Sequence, residues 1–153
     1  RLITKADSLL KTIRSALDAR NYKYQELDDA GIVFVSRREK ASYSILFRAD
    51  ATLDWVVLVA SYGSNVPAYR RVAVAEAASR VNMRMRLGNF ELDFEDGELR
   101  CRVGIDVEGG VLSEKMVDNM LGAAIMTMER YHEAFMQVAF GGADPSAALC
   151  KAQ

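Results

Sequence analysis

Residues 53 to 62, Leu53-Asp54-Trp55-Val56-Val57-Leu58-Val59-Ala60-Ser61-Tyr62, are apolar at both odd and even positions. A strand with one wetted face alternates instead, because successive side chains point to opposite sides of a sheet. The chain supplies its own controls. Phe90, Leu92 and Phe94 alternate with Glu91, Asp93 and Glu95, and Cys101, Val103 and Ile105 alternate with Arg100, Arg102 and Asp106. The 53 to 62 segment therefore demands cover on two sides. Trp55, Val57 and Val59 belong to one side; Val56, Leu58, Ala60 and Tyr62 belong to the other. The cover comes from the protein's own helices or from another chain.

The rest of the chain supplies elements around this strand. From Ile3 to Ala19, Ile3, Ala6, Leu9, Leu10, Ile13 and Leu17 recur at helical spacing between charged residues. Tyr22 to Leu27 and Ile32 to Val35 read as strands joined by a turn at Asp28-Asp29-Ala30-Gly31, followed by strands from Ser42 to Arg48 and from 53 to 62, with a short turn near residues 50 to 52. Pro67 suits the first turn of a helix running to about Met85. Asp96-Gly97 predicts a hairpin between Phe90 to Phe94 and Leu99 to Val107. Ser113 is placed to N-cap a long last helix ending near Phe140, whose stripe is Val117, Leu121, Ala124, Met128, Tyr131, Phe135 and Val138. The expected order is α-β-β-β-β-α-β-β-α in a single α+β domain over residues 1–153, with the tail from 141 to 153 partly irregular. One largely antiparallel twisted sheet should carry the first and last helices on one face, with the middle helix at a connection between strand groups.

Half of the 153 residues are apolar, enough for a full core, and 20 basic against 21 acidic side chains leave a net charge of −1. That balance gives no long-range attraction to nucleic acid. Cys101 and Cys150 fit neither a disulfide framework nor a zinc site and read as free thiols in a reducing cytoplasmic or organellar compartment. No stretch approaches the roughly 18 apolar residues of a membrane span. Because the first residue is Arg1, the chain is expected to be a processed or excised piece with an unseen upstream segment.

Motifs for chemistry do not assemble. Glu129-x-x-His132 is half of a di-iron carboxylate-histidine pattern, but His132 is the only histidine. Asp93, Glu95, Asp96 and Glu98 surround Gly97, yet a calcium loop centred there would place Leu92 and Phe94 at ligand positions. Arg70, Arg71, Arg80, Arg84 and Arg86 make the middle helix basic, which reads as a solvated, charge-paired face. With no base to serve a nucleophile, the chain is expected to be no enzyme and to need no cofactor or metal.

Seven methionines stand out. Met128 lies on the main stripe of the last helix and should be buried, whereas Met116, Met126 and Met136 fall away from it, where flexible thioethers can line an adaptable contact surface. The expected partner-binding residues are Trp55, Val56, Leu58, Ala60, Tyr62, Met116, Met126 and Met136.

The second half also carries a recognisable pattern: Leu87-Gly88-Asn89-Phe90-Glu91-Leu92-Asp93, the hairpin Glu95-Asp96-Gly97-Glu98, the strand ending Asp106-Val107-Glu108-Gly109, Met120-Leu121 with Tyr131 downstream, and Gly141-Gly142-Ala143-Asp144-Pro145-Ser146-Ala147-Ala148. Over roughly residues 6 to 149 the chain resembles the YbjN family, whose fold is similar to that of type III secretion chaperones. The resemblance implies a sensory-transduction-regulator label without catalytic residues, and a fold whose members are typically dimers that bind extended client segments. The expected function is non-catalytic protein binding, as a chaperone-like or assembly factor or an accessory subunit, with protein partners, a homodimer among them. The alternative is a small-ligand sensor with a pocket between the sheet and the last helix, for which Tyr43, Tyr131 and Arg48 would be the polar groups.

Overall fold

The computed structural model describes residues 4–50 and 52–152. Arg1 and Ile3, used above, and Ala51 lie outside them. The elements are α1 (Lys5–Ala19), β1 (Gln25–Leu27), β2 (Gly31–Arg37), β3 (Ser42–Ala49), β4 (Trp55–Ser61), α2 (Arg71–Asn82, entered through a 3-10 turn at Ala68–Arg70), β5 (Asn89–Leu92), β6 (Leu99–Asp106), α3 (Glu114–Phe140) and α4 (Pro145–Cys150). All six strands form one antiparallel sheet in the order β1-β2-β3-β4-β6-β5. The long strand of dual apolar character thus sits inside the sheet, between β3 and β6. The connection through α2 carries the chain past the position of β6, so β5 lies at the far edge and β6 returns to pair with β4.

Local chemistry sets the helix limits. Thr4 caps α1 by accepting the Asp7 N–H at 3.1 Å, while the Asp7 carboxylate accepts the Thr4 N–H at 3.0 Å. Ser113 accepts the Met116 N–H at 3.1 Å and starts α3 where the sequence places it. At its other end, Arg70 Nε donates to the Val138 carbonyl at 2.7 Å and Nη2 to the Ala143 carbonyl at 2.8 Å, supplying a cation and donors where a helix leaves carbonyls unpaired. Arg71 donates to the carbonyls of Val66, Phe94 and Glu95 and so ties the β5–β6 turn to the start of α2. Arg80 pairs with Glu76. Three of the five arginines expected on a solvated face therefore have partners within the chain, two of them as structural pins.

The helices gather on one face of the sheet. Ile32 and Phe34 of β2, Tyr43, Ile45 and Phe47 of β3, Val56, Leu58 and Ala60 of β4, and Cys101 and Val103 of β6 are buried in one core with Ile13 and Leu17 of α1, Val74 and Val81 of α2, and Val117, Met128 and Phe135 of α3. Full burial of a single Leu or Phe contributes on the order of 2 kcal/mol, so this shared face dominates the stability. The middle helix is more than a connection: α2 packs over β5 on the same face as α1 and α3.

Several boundaries differ from the sequence reading, among them α2, which ends at Asn82 before the expected Met85, and β5, which ends at Leu92 before Phe94. The first strand shortens to Gln25–Leu27, because Tyr22 stacks on Phe34 at 4.7 Å and the Tyr24 hydroxyl donates to Asp18, holding residues 22 to 24 beside the sheet. Leu53 and Asp54 belong to the turn before β4, where Asp54 takes a φ of +53°. The tail carries a short helix, α4, capped by Asp144 with Pro145 in its first turn.

Candidate protein-interaction face

With every helix on one side, alternate residues of the strands remain on the other. Register fixes which ones. Val33, Leu46, Val59 and Arg102 form one lateral row; Arg48, Val57 and Gly104 form the next; Trp55 sits opposite Asp106. Trp55 is 46% exposed and Val35 58% exposed, while Val33, Leu46, Val57 and Val59 are half-buried only by their neighbours in the sheet. The absent side chain of Gly104 leaves a shallow hollow of about 210 Å³ beside Trp55, Val57 and Asp106. An aliphatic strip ending in an indole beside a small depression is the geometry of an anchor residue with room for a partner's side chain.

Charges frame the strip. Arg100 and Arg102 both reach Glu91, whose carboxylate lies below the ordinary range: burial pushes it up, and the combined hydrogen bonds and charges of the two arginines outweigh that. Arg48 pairs with Asp29 at the opposite margin. The strip is thus bounded by satisfied ion pairs and left apolar in its middle.

The expected partner-binding set divides across the sheet. Trp55 lies on the helix-free face. Val56, Leu58 and Ala60 are fully buried and Tyr62 nearly so, beneath α3, where the Tyr62 hydroxyl donates to the Met128 carbonyl at 3.1 Å. These four are core, a correction forced by the helices choosing their side of β4. Among the methionines, Met126 is 74% exposed, whereas Met116 and Met136 are half-buried against the core. Sequence reasoning passed over Val33, Val35 and Leu46 as surface residues. Their signal was present in the odd positions of Ile32-Val33-Phe34-Val35, which are as apolar as the even ones.

The space between sheet and α3 is filled. The Tyr43 hydroxyl donates to Glu129 at 2.6 Å, and burial followed by that hydrogen bond raises the phenol well above its ordinary range. Tyr131 packs edge-on against Phe90. Arg48 projects from the opposite face of the sheet, so the three polar groups expected to converge on a ligand do not meet. Glu129 also accepts the Lys40 N–H, which occupies the carboxylate of the Glu129-x-x-His132 pair. His132 Nδ1 is buried without a hydrogen-bond partner, and burial, the largest influence on this imidazole, lowers its pKa. Burial pushes the Cys101 thiol up to about 12, making it a poor nucleophile. No helix among the described residues is long and apolar enough to cross a membrane.

Comparison with known proteins places this geometry. A family model described as "YbjN: Putative bacterial sensory transduction regulator" matches residues 9–137. A chaperone–effector complex, HopA1–SchA, contains a chain similar to this one with a TM-score of 0.62 at 11% identity, covering 84% of this chain and 95% of that one. YbjN of E. coli, titled a putative transcription regulator, is similar with a TM-score of 0.59 at 17% identity, covering 80% of this chain and 90% of that one. At these identities the likeness is one of fold. A search of curated proteins finds no match.

Proposed function

This chain belongs to the YbjN family, and from that membership and the open sheet face we propose that it acts without catalysis, as a protein-binding module in the manner of a chaperone, assembly factor or accessory subunit. The observation that carries the reading is the apolar strip of Trp55, Val57, Val59, Leu46 and Val33, exposed at Trp55 and half-buried along the valines and Leu46, on a sheet whose other face holds all the helices. A continuous apolar strip of this kind on an isolated chain is unusual unless something covers it. The chaperone–effector neighbour supports a protein as the cover.

The partner's segment lies across β3 and β4 with an apolar side chain in the hollow beside Trp55. Arg37, exposed at the margin and without an ion pair among the described residues, favours an acidic residue flanking that side chain. A second contact of the same module is self-association. Tyr69, Val72 and Met83, at 84%, 76% and 87% exposure, lie along the outward side of α2 and its flanking turns, a surface separate from the sheet strip, so a dimer joined there leaves both strips open.

The test is co-purification from the native source with wild type, Trp55→Ala and Val59→Asp. Loss of the captured protein in both variants, with unchanged circular dichroism and melting, supports the reading. Retention of that protein at wild-type yield overturns it. Light scattering on the purified chain separately reports the self-association contact, and a monomer whose state is unaltered by Met83→Asp removes that contact without touching the sheet assignment.

A further inference from the structure

The outward side of α3 carries a second feature that the sheet face does not explain. Two hollows lie one behind the other on it. The first, about 400 Å³, is walled by Met85 and Leu87 after α2 and by Met126; the second, about 730 Å³, has an alanine floor that includes Ala134 and Ala148. Arg130 borders both. On α3 the first hollow uses residues 123 to 131 and the second residues 130 to 137, so their centres are about six residues apart, or about 9 Å at 1.5 Å per residue.

The charges around them are mostly basic, and the basic ones are unspent. Arg84, Arg86 and Arg130 line the first hollow, Lys40 and Lys151 the second, and none of these five side chains makes an ion pair or hydrogen bond among the described residues. Arg70, Arg71, Arg80, Arg100 and Arg102 all have partners elsewhere in the molecule, as shown above. The one acid lining either hollow is Glu133. In a chain of net charge −1, five idle cations around two small-residue and thioether hollows are a segregation of charge that a complementary acidic partner would neutralise.

We propose that this groove along α3 docks an acidic amphipathic α-helix of a partner protein, with apolar side chains seven residues apart in the two hollows and carboxylates beside them facing Arg84, Arg86 and Arg130. The spacing fits, because residues i and i+7 on one face of a helix are separated by about 10 Å. A helix suits the groove better than an extended segment: no strand edge lies along α3, so an extended backbone would lose hydration without gaining a ladder, whereas a helix satisfies its own backbone. Met126 and Met85 supply adaptable walls. Nucleic acid matches the charge but has no side chains to fill the two hollows.

The test uses the full chain and a fluorescein-labelled, helix-stabilised synthetic peptide with leucines at i, i+3 and i+7 on one face and glutamates flanking them. Fluorescence anisotropy should show saturable binding that weakens with added salt. Affinity should fall by about tenfold or more in Arg84→Glu/Arg130→Glu. The same peptide with its leucines scattered around the helix should bind as weakly as the variant does, and Trp55→Ala should bind the original peptide like wild type. No saturable binding, equal binding of the scattered peptide, or equal tightness for a single-stranded RNA oligonucleotide would overturn the proposal. Loss of peptide binding in Trp55→Ala would also overturn it, by assigning the peptide to the sheet strip.

Discussion

Single residues carry much of this protein's specificity, and His132 shows how. Its imidazole lies among Tyr43, Tyr62 and Glu129, and its pKa is lowered chiefly by burial, with Lys40 adding to the effect and Glu129 and Glu133 opposing it. An unfolded histidine titrates near 6.5, so in the window just below that value the unfolded chain binds more protons than the folded one. The stabilisation is fully present above the unfolded pKa and is lost as pH falls through the folded one. Urea midpoints should therefore drop as pH falls below about 6.5, and His132→Phe should flatten that slope, leaving the steeper acid limb set by carboxylates such as Glu91. An identical slope in the variant would remove His132 from the account. On β4, one position changes everything: Leu58→Asp should destabilise the fold by about 3 kcal/mol or more, since it buries an unpaired carboxylate. Trp55→Asp, on the open face, should cost about 1 kcal/mol or less. Chemical denaturation of the two variants checks the division of the strand directly.

At the scale of elements, the turn between β5 and β6 shows how a short motif can be over-determined. Gly97 has a φ of +84°, and a Cβ there would overlap the Val66 backbone, whose N–H donates to the Gly97 carbonyl at 2.7 Å. Gly97→Ala should therefore cost more than about 1 kcal/mol in urea unfolding, where a permissive glycine would cost nothing. The edge strand β5 is protected: Asn82 accepts the Phe90 N–H at 2.7 Å and donates to the Phe90 carbonyl at 3.0 Å, occupying groups that another strand would use. Asn82→Ala should expose that edge and raise the aggregation rate followed by light scattering. Helix α3 was legible from sequence because a capping serine, a stripe of three and four steps and a closing Gly-Gly agree on both ends. The start of strand β1 was not, because Tyr22 and Tyr24 look like strand residues but spend their rings and hydroxyls on Phe34, Arg38 and Asp18. The small helix α4 was hidden by its length, with Asp144 and Pro145 the only local cues.

For the whole molecule, the two-faced character of β4 was readable, as was the sheet with its helices. Which row the helices would cover was not. Both rows are apolar, so no local pattern distinguishes Val56-Leu58-Ala60 from Trp55-Val57-Val59; the choice follows from how α1, α2 and α3 are connected to the strands. That is why half of the candidate site turned into core while Val33 and Leu46 joined the apolar strip. Likewise, Met126 and Arg130 of α3 become one surface with Arg84 and Arg86 only once α2 and α4 flank them. The central claim is that the helix-free face of the sheet is covered by a partner protein. Hydrogen–deuterium exchange on the chain with and without the protein captured from its native source tests it most directly. The account predicts slowed exchange in peptides spanning β3 and β4, abolished by Val59→Asp. Protection confined to other surfaces, with β3 and β4 exchanging as in the free chain, would contradict it.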